Sequence, residues 1–376
     1  MIVVQPSVNK DSIMRNLEKV MESRWLGMGP MTKLFEEKLA EYWDVDPDSV
    51  VCVNSGTSAL QLAFWLYNKY KPHVTHGIVA TTPITFVSTN HAILYNGLAP
   101  VFYDVNPRTG LVNAESLLTL SMRRKIDVIV VVHVAGQPAD MSKIVDIANY
   151  SHAVIIEDCA HAMGSRYPDG KRVGNNNNLS CFSFHAVKNL AIGDGGAIVL
   201  GGKWKKHSKL LRQVRWMGID KDTFSRSGKT YSWDYDVSNL GFKAHMNDIS
   251  AAIGLAQLED LDSQNAVRRG FAQQYNEGLP SECLAAYGNS DGCNYHLYLS
   301  FFENRNAVAD VLRENGISPG MHYKRNDKYR MYRDFLKQGT LEGAQWYEDH
   351  ELSLPMHPNL TPEDVDRVIM VVKEIV

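Results

Sequence analysis

Short apolar runs bounded by Gly, Pro, Asn or Asp recur through the first half of the chain, at residues 50–53, 78–81, 100–103, 128–133, 154–156, 179–184 and 197–200. They are apolar throughout rather than alternating, which predicts strands buried on both faces of a sheet covered by helices. Between them, residues 58–70 set Leu60, Phe64 and Tyr67 at helical spacing, and residues 141–150 do the same with Ile144 and Ile147. Strands alternating with helices predict an α/β domain of three layers around a mostly parallel sheet. Beyond about residue 241 the texture changes. Residues 247–261 read as a helix capped by Asn247 or Asp248, with Ile249, Ile253 and Leu258 apolar. A strand-like run at 295–302 and helices at 307–315 and 362–374 follow. The expected organisation is therefore a large α/β domain at 1–245 and a smaller α+β domain at 246–376. The run of four asparagines at 175–178 suggests a tight polar turn, since Asn tolerates left-handed geometry.

Composition narrows the function. The 376 residues carry 39 Lys plus Arg against 42 Asp plus Glu, a formal net charge of −3, with 44% hydrophobic residues. That is ordinary globular usage, unlike a disordered or collagen-like chain. It lacks the basic excess expected of an electrostatic nucleic-acid binder. Cys52, Cys159, Cys181, Cys283 and Cys293 form no CxxC pair and no metal-ligand spacing with histidine, which suits reduced thiols in a cytoplasmic protein. Residues 1–10 lack a signal-peptide pattern, and the most apolar run, 128–134, is too short to cross a bilayer. A soluble, cytoplasmic protein with no membrane partner is expected.

Several motifs fail on inspection. Gly193-Asp194-Gly195-Gly196 lacks the third glycine of a dinucleotide loop and precedes a strand rather than a helix. Gly202-Lys203 lacks the flanking residues of a P-loop. No HExxH helix accompanies His73 and His76, which read as exposed loop residues, and no metal is expected. No GxSxG elbow starts a serine hydrolase.

Three other segments carry chemistry. Asn54-Ser55-Gly56-Thr57-Ser58 stands between a strand and a helix, where free amides and hydroxyls hold phosphate or merely cap the helix. Glu157-Asp158 ends a buried run, the place where open α/β sheets bind ligands, and an acid there is able to pair with a protonated heterocycle. Lys188 follows the strand-like run containing Ser183 and precedes the glycine-rich turn; it is either a solvated lysine or an imine-forming amine. Phosphate cradle, strand-end acid and lysine, in that order, are what pyridoxal 5′-phosphate requires.

With these segments the chain resembles the DegT/DnrJ/StrS family of sugar-nucleotide aminotransferases, which have the fold-type I architecture of pyridoxal-phosphate-dependent transferases. The resemblance spans nearly the whole chain, from Trp25-Leu26-Gly27-Met28-Gly29-Pro30 and Phe35-Glu36-Glu37 through Pro83-Ile84-Thr85-Phe86-Val87-Ser88-Thr89-Asn90. It continues in His133-Val134-Ala135-Gly136-Gln137-Pro138-Ala139-Asp140, residues 157–164 and 183–196, and Leu352-Ser353-Leu354-Pro355-Met356-His357. It implies Lys188 as the Schiff-base lysine and proton shuttle, Asp158 as the partner of the pyridine nitrogen, and His161 as a contact of the ring hydroxyl. It further implies Phe86 over the cofactor face, and Gly56, Thr57, Ser58 and Ser183 around its phosphate.

Residues 241–248, with Lys243 and His245 where many members carry Asn and Arg or Asn, match a stretch that reaches the neighbouring subunit's site in a homodimer with shared active sites. Gly27, His185, His322, Tyr323 and Lys324 are implied in substrate binding. The segment His322-Tyr323-Lys324-Arg325-Asn326-Asp327 departs from the more usual HYxPLH, and Lys324 and Arg325 there suit either a diphosphate or a solvated basic turn. The implied activity is ping-pong transfer of an amino group from glutamate to a nucleotide-linked keto sugar, as in deoxyamino-sugar and polysaccharide synthesis. Relatives that dehydrate the sugar replace the lysine with histidine, whereas Lys188 is retained here. A cyclitol aminotransferase and a non-catalytic cofactor-binding regulator are the remaining alternatives.

Overall fold

Each apolar run of the first half becomes a strand of one eight-stranded sheet in the computed structural model, which describes residues 1–71, 77–221, 224, 233–287, 290–337 and 339–376. His73 and His76 lie outside the described residues. The strands are β1 (Val50–Val53), β2 (Ile78–Thr81), β3 (Ala99–Phe102), β4 (Val128–Val132), β5 (Val154–Asp158), β6 (Leu179–Ser183) and β7 (Gly196–Leu200). Every residue of β1, β4, β5 and β7 is buried, as continuous apolarity requires of strands covered on both faces. Neighbours run parallel from β6 through β5, β4 and β2 to β3, while β7 is antiparallel to both β6 and β1. The protein is thus a mixed α/β fold around a mostly parallel sheet.

The C-terminal half departs from its expected outline in two ways. β9 (Leu336–Lys337) pairs parallel with β3 and completes the large sheet, too short a segment to show in the hydrophobic pattern. β8 (Tyr298–Phe301) pairs antiparallel with β10 (Glu351–Leu354), a strand whose mixed residues hid it. A separate core gathers there around Phe271, Tyr275, Tyr298, Leu312, Leu354 and Val368. We propose the division at residue 245 on that second core, although β9 crosses it.

The helices that position the site are α1 (Lys10–Ser23), α2 (Pro30–Trp43), α3 (Gly56–Tyr70), α4 (Val87–Tyr95), α5 (Ala114–Arg123), α6 (Met141–Ser151), α7 (Ser208–Val214) and α8 (Asp248–Gly278). α9 (Arg305–Glu314), α10 (Glu342–His350) and α11 (Pro362–Ile375) follow. The 31-residue α8 runs well past the expected end at residue 261, because Asn265, Arg268, Phe271, Ala272 and Tyr275 continue its buried face. Where α2 crosses it, a Cβ on Gly254 would stand 2.5 Å from Cζ of Phe35, so only glycine admits the approach. None of the helices among the described residues is long and apolar enough to cross a membrane.

The asparagine run bends as expected, with the Asn178 amide donating to Asn176 Oδ1 at 2.7 Å, but without left-handed geometry. None of its residues has positive φ; Gly174 does, at 106°. The side chains of Asn176 and Asn178 turn inward, while Asn177 stays exposed.

α2 lacks a capping side chain of its own, since its N-cap is Gly29. Asp248 supplies the cap from α8. Its carboxylate accepts the amides of Gly29 at 2.8 Å, Met31 at 3.0 Å and Thr32 at 2.9 Å, and the Thr32 hydroxyl at 2.7 Å. A buried carboxylate on free helix amides satisfies both partners. Asp248→Ala is expected to lower the unfolding free energy by about 3 kcal/mol, since four donors lose one charged acceptor. The midpoint of urea unfolding checks it.

Candidate active site

β1 ends at Val53 and the chain turns directly into α3, whose first amides are free. The helix begins two residues before the expected start because Ser55 caps it: its Oγ accepts the Ser58 amide at 3.1 Å. The Ser58 hydroxyl turns back to Asn54 Oδ1 at 2.7 Å and does not line the cavity in front of the helix, whereas Gly56 and Thr57 do. A Cβ on Gly56 would lie 2.7 Å from Cβ of Ser183, so the absent side chain lets β6 and the helix start approach each other. Helix amides, Thr57 and Ser183 together make an anion cradle.

Asp158 is the last residue of β5 and only 5% exposed. Its Oδ2 accepts the Thr89 hydroxyl at 2.6 Å and its Oδ1 the Ala160 amide at 3.1 Å. Thr89 in turn pairs with Thr85 at 2.8 Å. Lys188 lies in the loop after β6, its amide on the His185 carbonyl at 2.8 Å. Burial pulls its ammonium down to about 8, against the opposing pull of the Asp158 carboxylate. A lysine so placed is a free amine over much of the range in which an ordinary lysine is protonated.

His161 is buried, and burial, reinforced by Lys188 and His322, holds its ring well below the usual histidine range. The ring is neutral, and its Nδ1 accepts the Ala135 amide at 3.3 Å. The proton therefore sits on Nε2, which donates to the Tyr323 hydroxyl at 2.9 Å. Ala135 can aim its amide this way because it takes a left-handed φ of 58°. Phe86, the residue before α4, is 59% exposed, with its ring centroid 6.2 Å from that of Tyr323.

These side chains converge on one cavity of about 350 Å³. Of the residues singled out in the sequence, Gly56, Thr57, Phe86, Asp158, His161, Ser183, His185, Lys188, His322 and Tyr323 line it. Ser58, Gly27, Lys243 and Lys324 do not. Gly27 is exposed, with its carbonyl on the Asp248 amide at 3.0 Å. The Lys243 ammonium lies 4.0 Å from the Trp216 ring centroid, and that of exposed Lys324 lies 5.3 Å from the Tyr329 centroid. Arg325 is neither a solvated turn residue nor open to a diphosphate. It is 4% exposed, and its guanidinium grips Asp327 twice, at 2.9 and 2.7 Å.

The opposite face of β5 carries a second polar cluster, and it accounts for the asparagines. Glu157 accepts Asn176 at 2.8 Å and Asn178 at 2.7 Å on Oε1, and His133 at 2.9 Å and Tyr167 at 2.6 Å on Oε2. Burial would raise this carboxyl, but those bonds outweigh it and hold the group below its usual range. His133, Glu157 and Cys159 lie close enough together to suggest a metal, yet every carboxylate lone pair already faces a donor, and His133 Nδ1 accepts the Ala139 amide. Burial also raises the Cys159 thiol, so this neighbour of Asp158 is inert.

Sequence reasoning missed Thr85 and Thr89, although both lie in a segment it quoted; hydroxyls four apart at a helix start are the signal that marks them. The bond between Tyr323 and His161 joins residues 162 apart and left no mark in the sequence.

The residues fit pyridoxal phosphate. An anion cradle that a Cβ at Gly56 would push apart from Ser183, a buried carboxylate and a lysine of lowered basicity share one cavity. Gly56→Ala is expected to weaken pyridoxal phosphate binding by about tenfold or more, because the displaced helix start breaks the cradle. Titrating the apoprotein by absorbance checks it, with urea unfolding run beside it to show that the fold survives.

A sequence model of the DegT/DnrJ/EryC1/StrS aminotransferase family matches residues 8–373. The spore coat polysaccharide biosynthesis protein SpsC of Bacillus subtilis is 30% identical, covering 99% of this chain and 96% of its own length. The crystal structure of AtS13 from Actinomadura melliaura superposes with a TM-score of 0.88 at 31% identity, over 99% of this chain and 98% of that one. The sugar aminotransferase CalS13 from Micromonospora echinospora does so at 0.87 and 29% identity, over 99% of both.

Proposed function

This chain belongs to the DegT/DnrJ/EryC1/StrS aminotransferase family, whose cofactor is pyridoxal 5′-phosphate, and on that premise we propose that it moves an amino group from glutamate to a nucleotide-linked keto sugar. The observation that carries the reading is the convergence of Lys188, Asp158 and the start of α3 on one cavity. A sugar as acceptor is supported by CalS13, a sugar aminotransferase, and by SpsC, which serves polysaccharide synthesis.

Bound in this cavity, the cofactor supplies an aldehyde carbon that bonds an amine and a ring that accepts the electron pair left by a departing proton. The chain's residues do the rest. The α3 amides, Thr57 and Ser183 hold the phosphate and fix the ring's register. Asp158, kept oriented by Thr89 and the Ala160 amide, faces the ring nitrogen and favours its protonated form. Lys188 takes the proton from the donor's α-carbon and returns one to the sugar carbon, a task suited to an amine whose basicity burial has lowered. Phe86 covers one face of the cofactor, and His322 and Tyr323 meet the sugar. Donor and sugar use the same space in turn, so the kinetics are ping-pong.

We further propose a homodimer in which residues 241–248 of a second copy complete each site, bringing Lys243 to it. Exposed Phe86, Trp233 and Leu240 supply apolar surface for that contact.

Lys188→Ala is expected to remove the long-wavelength absorbance of the purified protein and to reduce turnover by at least about a thousandfold; unchanged absorbance would count against the assignment. The rate at which apoprotein takes up pyridoxal phosphate should rise with pH through about 8 and then level off, as Lys188 loses its proton. Stopped-flow absorbance across pH reads this directly. Incubating a panel of nucleotide keto sugars with glutamate, followed by mass spectrometry, identifies the acceptor; parallel double-reciprocal lines are expected for the sugar that reacts.

A further inference from the structure

His322 lines the cavity, but what holds it lies behind, in residues that the cofactor chemistry does not use. Its ring sits over Gly320, where a Cβ would stand 2.8 Å from the ring's Cε1. Its backbone amide donates to Glu351 Oε2 at 2.8 Å, and the Tyr347 hydroxyl donates to its carbonyl at 2.7 Å. Its Nδ1 lies 2.9 Å from Ser353 Oγ, and that hydroxyl donates to Glu351 Oε1 at 2.6 Å. Glu351 and Ser353 are both fully buried, on β10.

This geometry decides a proton position. A serine hydroxyl has one hydrogen, and beside a carboxylate at 2.6 Å it goes to the carboxylate. Ser353 Oγ can then only accept from the histidine, so the ring hydrogen is on Nδ1. Burial, with Lys188 nearby, brings the His322 ring down to about 4, so it carries one hydrogen and not two. Nε2 is left with a bare lone pair as the ring's remaining polar atom.

We propose that Glu351 and Ser353 are positioning residues that fix the tautomer of His322, so that its Nε2 meets the substrate as a hydrogen-bond acceptor and selects a sugar bearing a hydroxyl donor at that place. The recognition half rests on the sugar aminotransferase reading above; the tautomer half does not.

Glu351→Gln tests it with almost no change of shape. The His322 amide is a donor and keeps an oxygen as its partner, so the new carboxamide places its oxygen there and turns its NH2 toward Ser353. Ser353 then gives its hydrogen to Nδ1, and the ring hydrogen moves to Nε2. In holoenzyme labelled with ¹⁵N-histidine, the His322 resonances, assigned by loss in His322→Asn, should show the hydrogen on Nδ1 in the native protein and on Nε2 in Glu351→Gln. The KM for the keto sugar should rise about tenfold relative to that for the donor, since an acceptor has become a donor.

Native protein showing the hydrogen on Nε2, measured well above the titration of Glu351, overturns the relay, as does an unchanged tautomer in the variant. An inverted tautomer with an unmoved sugar KM overturns the recognition role. Failure to aminate any sugar refutes the aminotransferase reading instead, and the resonances still decide the relay.

If Glu351→Gln does not fold, pH makes the same change in the native protein. Burial pushes Glu351 up to about 7, so its protonation below that value turns the relay around. The charged and titratable groups facing it are Arg305, Tyr323, Tyr347 and His322. Burial holds both tyrosines above their ordinary range and His322 near 4, and in the holoenzyme the Lys188 nitrogen beside His322 would be bonded to the cofactor, so a tautomer change around pH 7 reports Glu351. A tautomer constant through that range overturns the proposal.

Discussion

The site turns on a carboxylate held at the buried end of a parallel strand. Asp158 closes β5, and the pairing of β5 with β4 and β6 sets it level with Val132 and Cys181 at the rim of the sheet. Two donors, the Thr89 hydroxyl and the Ala160 amide, keep it from swinging. Its field reaches Lys188, where it works against burial, and the balance leaves an amine poised near neutrality. The glycine at the start of α3 matters because a Cβ there would meet Ser183 and push the helix start away from β6.

The period of two along a strand divides β5 into two polar centres of opposite purpose. Asp158 faces the cavity and keeps capacity for a further partner. Glu157, one residue earlier, faces the other way, and His133, Tyr167, Asn176 and Asn178 fill its oxygens. A fully satisfied buried carboxylate is a fixed strut, while an incompletely satisfied one at a cavity is a tool. The same contrast separates the neighbours Arg325, locked on Asp327, and Tyr323, facing the cavity from the bond it shares with His161.

The C-terminal half contributes one wall of the cavity, through His322 and Tyr323. Asn326 ties the segment holding His322 and Tyr323 to the cofactor side, donating to the Thr85 carbonyl at 2.8 Å and accepting from Asn90 at 3.0 Å. Glu351 and Ser353 on β10 hold the same segment from behind. A wall clamped at both ends is rigid, which suits recognition by directed hydrogen bonds.

Local pattern was enough to place the parallel strands and to single out the start of α3, Asp158 and Lys188, which the fold brings to one cavity. Continuous apolar runs, a small polar turn before a helix, and an acid and a lysine just after strands are local signals, and each depends on residues a few positions apart. The same pattern left the roles of Thr89, Ser353 and Glu351 unread, gave the asparagine turn a left-handed geometry it does not use, and left Arg325 open between two exposed roles. Those residues acquire their partners across long stretches of chain: Thr89 meets Asp158 over 69 residues, and His322 meets Ser353 over 31. A buried polar side chain looks in sequence like a solvated one. Only the packing that removes water decides which partner it must find, because an unpaired buried donor or acceptor costs too much to leave.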